Sequence, residues 1–179
     1  VPFDPADPAD PDNWSGGDYE LLVRYAPADQ ALLERAYQAV WQVTGRDATA
    51  GDGVVRLPGG HRVVCHSGPV LDEDGTGWLY FGVPLGALGR IDPRVCGYPT
   101  EDGHSFAWRR PLDDWLASVA FRLLEPVPFR AALIGFEVFT DLYLNLADGE
   151  PIEGYARLAD RYSGIVLSGP PPIYHPANR

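Results

Sequence analysis

Lysine and methionine are both absent from this 179-residue chain, so all 14 of its basic residues are arginine. Without lysine there is no Schiff-base nucleophile, no lysine-anchored cofactor and no phosphate-binding loop ending in Gly-Lys-Ser/Thr. Without methionine the sequence is expected to start after any initiator. Positive charge is scarce as well. The 25 acidic residues give a formal net charge of -11, which repels phosphate backbones and anionic membrane surfaces over a Debye length or more. A nucleic-acid binder is therefore not expected, and neither is a membrane partner. No apolar run reaches the roughly 18 residues of a membrane span, and the N-terminus has no basic region followed by an apolar one. The expected location is the cytoplasm. The lack of lysine beside abundant Ala, Gly, Pro, Asp and Arg suggests a GC-rich bacterial genome.

Cysteine is nearly missing. Cys65 and Cys96 read as reduced, buried thiols, because a domain of this length needs no staple. Cys65, His66, Cys96 and His104 are four possible zinc ligands. However, adjacent strand residues point to opposite faces, and neither Cys-x-x-Cys nor His-x-x-x-His is present, so no metal is expected. Asp72, Asp74 and Gly75 open like a calcium loop, but Val83 stands where the bidentate glutamate belongs. None of the serines sits in a Gly-x-Ser-x-Gly elbow. Gly82, Gly86 and Gly89 are too widely spaced for a dinucleotide fingerprint, so no cofactor is expected.

The elements that remain describe one ordinary domain. Residues 1–17 repeat Asp-Pro and offer few apolar groups, which predicts an extended, flexible arm pinned by Trp14. Asp18 to Tyr25 alternates, with Tyr19, Leu21, Val23 and Tyr25 on one face and Asp18, Glu20 and Arg24 on the other, as in a half-buried strand. Pro27 opens a helix that buries Leu32, Leu33, Ala36, Tyr37, Val40 and Trp41 and stops at Gly45. Val54–Leu57 and His61–His66 flank the turn Pro58-Gly59-Gly60 as a hairpin. The turn Asp72-Glu73-Asp74-Gly75 leads into an interior strand, Trp78–Val83.

A helical turn is predicted at Leu85–Leu88, and a second helix starts at Pro111 and ends before Pro126 and Pro128. Phe129–Phe139 reads as another interior strand. A short third helix over Pro151–Arg161, a strand at Gly164–Leu167 and a Pro-rich tail from Pro170 complete the chain. The pattern predicts an α+β domain over residues 18–179, with a mixed, largely antiparallel sheet carrying two main helices and the short third one.

Glu137 is the residue least at home in its surroundings, since an ionised carboxylate in an apolar strand needs a partner or a raised pKa. An ion pair to Arg24, Arg130 or another arginine is the structural explanation. The catalytic alternative joins Glu137 or Asp141 with His66 or His104 as an acid–base pair in a small hydrolase or isomerase. A third alternative is a ligand-binding domain. Two stretches, Trp14–Leu21 and Leu133–Glu137, have the look of signatures, and no activity attaches to either.

Strong acidity, surplus aromatics, small size and the lack of a complete catalytic motif favour a binding role. The sequence points to an immunity-type inhibitor that blocks the basic active site of a toxin acting on nucleic acid or a nucleotide. Its expected contact residues are Asp72, Glu73, Asp74, Glu101, Asp102, Asp148 and Glu150 in loops, with Tyr98 and Trp108 as aromatic anchors.

Overall fold

The structure, a computed structural model, describes residues 3–45, 47–48, 52–95, 108–138 and 162–176. Its strands are β1 (Asp18–Tyr25), β2 (Asp47–Ala48), β3 (Asp52–Arg56), β4 (Arg62–Leu71), β5 (Gly77–Pro84), β6 (Ala131–Phe136), β7 (Tyr162–Leu167) and β8 (Ile173–Pro176). Helices α1 (Gln30–Thr44), α2 (Leu85–Ile91) and α3 (Arg110–Leu123) lie between them. The strands form one sheet in the order β2-β3-β4-β5-β1-β6-β7-β8, and every described pair is antiparallel. The α+β class expected from the sequence is the observed one. The predicted third helix over Pro151–Arg161 lies outside the described residues.

The first strand is central, joining two meanders. This placement explains why its two faces are less different than the alternation suggests. Tyr19, Leu21, Val23 and Tyr25 enter the main core as expected. On the other face Leu22 is buried and Glu20 is only 3% exposed, so that face is not the solvated one predicted. It carries a second apolar cluster of Leu22, Trp78, Ala131, Leu133, Val138 and Ile165.

The helices cover the first face, with α1 over β4 and β5, α3 over β1, β6 and β7, and α1 against α3. Phe81 sits between Trp41 of α1 and Trp115 of α3, at centroid distances of 5.6 and 6.0 Å. Burial of one such ring contributes about 2 kcal/mol. Pro27 belongs to the turn before α1, not to its first residue. The helix starts at Gln30, where the Asp29 carboxylate caps the Leu32 N–H at 2.7 Å. It stops at Gly45, whose φ of 72° is left-handed. In α3 the stripe Leu112, Leu116, Val119, Ala120 and Leu123 is buried, as its spacing predicts.

Residues 3–17 are not extended. They fold into successive Asx turns, with the Asp4, Asp7 and Asp10 side chains accepting from Ala6, Ala9 and Asp12 N–H, and end in a 3-10 turn at Pro11–Trp14. Asn13 is fully buried beneath them and donates to the Asp4 and Asp7 carbonyls at 2.8 and 2.9 Å. Val64 of β4 donates to Pro5, while Leu85 and Gly86 of α2 donate to Gly17 and Ser15. Arg90 of α2 holds Asp10 at 2.6 Å and lies 4.7 Å from the Phe3 ring. Asp-Pro repeats lack a core, but Asp4, Asp7 and Asp10, spaced three residues apart, each form an Asx turn, and one buried asparagine ties the turns together.

At the far end, the expected tail includes a strand, with β8 pairing to β7 and Tyr174 opposite Val166. Its side chains show no apolar alternation, and Pro172 and Pro176 bracket it, as on a protected sheet edge.

Candidate functional site

The end of the sheet where β1 begins collects polar side chains on the face away from the helices. His66 Nε2 lies 2.8 Å from Asp18 Oδ1 and 2.7 Å from the Tyr80 hydroxyl. The register brings them together, since Glu20 and His66 both stand opposite Gly82 and Tyr80 is two residues along β5 on the same face. Gly82 is the floor that makes room, because a Cβ there would overlap the Tyr80 hydroxyl. Trp14 closes one side, edge-on to His66 at 5.7 Å.

The side chains of His66 and Asp18 keep 33% and 22% of their surface, so the cluster is half-open to solvent. Burial, followed by the charges of Asp18 and Glu20, pushes the Tyr80 phenol far above its ordinary range. Tyr80 therefore keeps its proton and acts as a donor, not as a base. Cys65, next to His66, points to the opposite face as a free buried thiol, and burial raises it well above its usual value. Among the described residues no group of three His, Cys, Asp or Glu is placed to hold a metal ion.

Glu137 arrives at the same end. It follows β6 with a φ of 43°, a left-handed conformation that costs a non-glycine residue about 1 kcal/mol or more, and its N–H donates to the Asp18 carbonyl at 3.0 Å. Its carboxylate lies over Gly17, where an added Cβ would be 2.5 Å from Oε1. Arg24 and Arg130 stand at the other end of the β1–β6 pair, where Arg24 is opposite Ala131. Six residues of strand or more, roughly 20 Å, separate them from Glu137, so neither is the ion-pair donor expected from the sequence. The two signature-like stretches thus meet, with Tyr19 opposite Phe136 and Glu20 opposite Gly135.

Behind β1, on the helix face, a separate cluster is closed to solvent. The Tyr19 hydroxyl donates to Asp113 of α3 and shares a hydrogen bond with Ser163. Ser163 is the extra residue where β7 skips a partner between Gly164, opposite Ile134, and Tyr162, opposite Gly135. The bulge turns its hydroxyl onto Tyr19. Arg109, 3% exposed, lies 5.7 Å from the Tyr19 and Trp108 rings.

Of the expected contact residues, Asp72, Glu73 and Asp74 form the exposed tip of the β4–β5 hairpin. Asp74 Oδ1 accepts from the Thr76 N–H at 2.8 Å, which holds its carboxyl below the usual range, and Asp72 accepts from Trp78 Nε1 at 3.2 Å. Glu73 is the residue at the apex. Trp108 is half-buried against Tyr19 at 5.9 Å and lines an apolar groove with Leu57, Leu88, Ile91 and Leu112. Tyr98, Glu101, Asp102, Asp148 and Glu150 lie outside the described residues, as do Asp141, His104 and Cys96.

No known protein family, curated protein or solved structure matches the chain. The residues themselves carry the argument. Of the catalytic alternatives, His66 and Glu137 come to one end of the sheet. Asp18, Tyr80 and Trp14 join them, and the sequence reading missed their part in the cluster. Only the pairing of β1 with β5, across some sixty residues of chain, could have revealed Asp18. Tyr80 was within reach, because the turn at Asp72–Gly75 fixes the hairpin register that sets it diagonal to His66.

Proposed function

We propose that the chain is an acidic cytoplasmic binding protein, an immunity-type inhibitor that blocks the active site of a basic toxin acting on nucleic acid or a nucleotide. The observation that carries this reading is the excess of exposed carboxylates over exposed arginines. Among the described residues eleven carboxylates but seven arginines are exposed, and several of those arginines are held by partners within the chain, as Arg94 by Asp92 and Arg56 by the Gly60 carbonyl. Carboxylates at Asp4, Asp7, Asp29, Glu34, Glu73, Asp74 and Glu125 are exposed. A net charge of -11 displayed in this way accelerates encounter with a positively charged cleft and disfavours nucleic acid itself. No described helix is long and apolar enough to cross a membrane.

The test is affinity purification of the full chain from its native cell, followed by assay of the co-purified protein. We expect one basic partner in stoichiometric amount, whose action on nucleic acid or a nucleotide stops when one equivalent of this protein is added. A chain that recovers no such partner, or a partner that stays active when saturated, contradicts the reading.

A second reading rests on the Asp18–His66–Tyr80 contact, in which a carboxylate, an imidazole and a protonated phenol meet within 2.8 Å. This arrangement suits acid–base catalysis in a small hydrolase or isomerase, with Glu137 nearby. Turnover that disappears in His66→Gln while the fold persists, in a protein that recovers no partner, would favour it.

A further inference from the structure

We infer that the tip of the β4–β5 hairpin is the element that enters the partner's basic cleft, gripping it by side chains and not by strand addition. This inference rests on the inhibitor reading and names its contact surface.

Four large apolar side chains are exposed among the described residues: Phe3, Val70, Leu71 and Ile173. Phe3 lies beneath Arg90, and Ile173 is at the β8 edge. Val70 and Leu71, at 39% and 43% exposure, are neighbours in sequence and immediately precede the acidic turn. Successive strand residues point to opposite faces, so the two side chains straddle the strand. An apolar pair beside a carboxylate apex matches a cleft that is basic within and apolar at its walls.

Geometry makes this hairpin end reachable. The β3–β4 ladder ends at Asp52–His66, while β4 continues to Leu71 paired only to β5 among the described residues. Among the described residues Ser67–Leu71 is thus an edge segment. Pro69 sits in its middle and has no N–H to offer, the usual protection of an edge against another strand. The turn itself is fixed. Asp72 N–H donates to Thr76, Gly75 N–H to Asp72 and Ala28 N–H to Gly75, which anchors the hairpin to the start of α1. Such preorganisation lowers the entropy lost on docking.

The internal hydrogen bonds separate docking from folding. Asp74 and Asp72 both hold the turn together, so replacing either changes structure as well as charge. Glu73 and Leu71 can be changed with the turn intact.

The experiment uses the full chain, the partner purified as described above, and four variants whose thermal melting is checked first: Glu73→Arg and Leu71→Ser at the tip, and Glu34→Arg and Glu125→Arg elsewhere on the surface. We expect Glu73→Arg to slow association about tenfold or more at low salt, and Leu71→Ser to speed dissociation about thirtyfold or more. The two distant reversals should change either rate by about threefold at most. A partner bound equally well by both tip variants, or weakened alike by all four, overturns the tip assignment and leaves the inhibitor reading standing. Recovery of no partner by the unaltered chain overturns both.

Discussion

Tyr19→Phe is expected to destabilise the protein by about 3 kcal/mol, a fall of roughly 6–12 °C in Tm for a domain of this size. The Tyr19 hydroxyl is the donor to Asp113, which is 5% exposed, and it also meets Ser163, the bulge residue of β7. Removing one oxygen leaves a buried carboxylate short of a donor and releases the contact that joins β1, α3 and β7. Burial raises the Tyr19 phenol well above its ordinary value, with Asp113 as the next cause, so the proton that makes this bond stays in place at any physiological pH.

Tyr25→Phe is the control. Its hydroxyl is also buried but has no hydrogen-bond partner among the described residues, so the same change removes an unsatisfied group and should be neutral or slightly stabilising. Denaturant titration of both variants checks the contrast, and equal losses would show that the Tyr19 cluster contributes nothing particular.

Gly86→Ala should destabilise by about 2 kcal/mol, although helix propensity alone predicts a gain of about 1 kcal/mol for glycine to alanine in α2. An added Cβ would overlap the carbonyl oxygen of Asp12 and lie 2.7 Å from the Ser15 hydroxyl, and the first of these is backbone that cannot swing aside. The arm must then lift from α2, losing the bonds from Gly86 to Ser15 and from Leu85 to Gly17. Proteolytic cleavage within residues 3–17 should become rapid in the variant and stay slow in the parent.

Acid should loosen the same contact. The hydrogen bond from Arg90 holds the Asp10 carboxyl below its ordinary value. The contribution is therefore complete above about pH 4 and is lost as pH falls through the depressed value. A Gly86→Ala protein that is more stable than the parent, with its arm still resistant, would show that the arm's docking is loose enough to admit a methyl group.

The sequence was informative wherever one local signal decided an element. β1 has the predicted bounds, Gly45 ends α1, and the apolar runs in β5 and β6 are buried on both faces as predicted. It was least informative where the answer depended on distant pairing. The alternation of β1 suggested a wet face at Asp18 and Glu20, but a strand flanked by β5 and β6 has little wet surface on either side. The arm's Asp-Pro repeats suggested an extended segment because composition reports the absence of a core. Asn13, which organises the turns, is a single polar residue with no periodic signature. The same limit applied to the candidate site. His66 and Glu137 were visible as unusual residues, and the acidic turn as an exposed one, but the meeting of Asp18, His66 and Tyr80 required the full strand order.

The most direct measurement of the inhibitor reading is the association rate with the purified basic partner, followed by stopped flow from low to high ionic strength. Steering by a chain with a formal net charge of -11 predicts a rate that falls about tenfold or more between roughly 20 and 500 mM salt, while the dissociation rate changes much less. An association rate that is independent of salt would contradict the proposal that the protein's acidity serves to capture a basic partner.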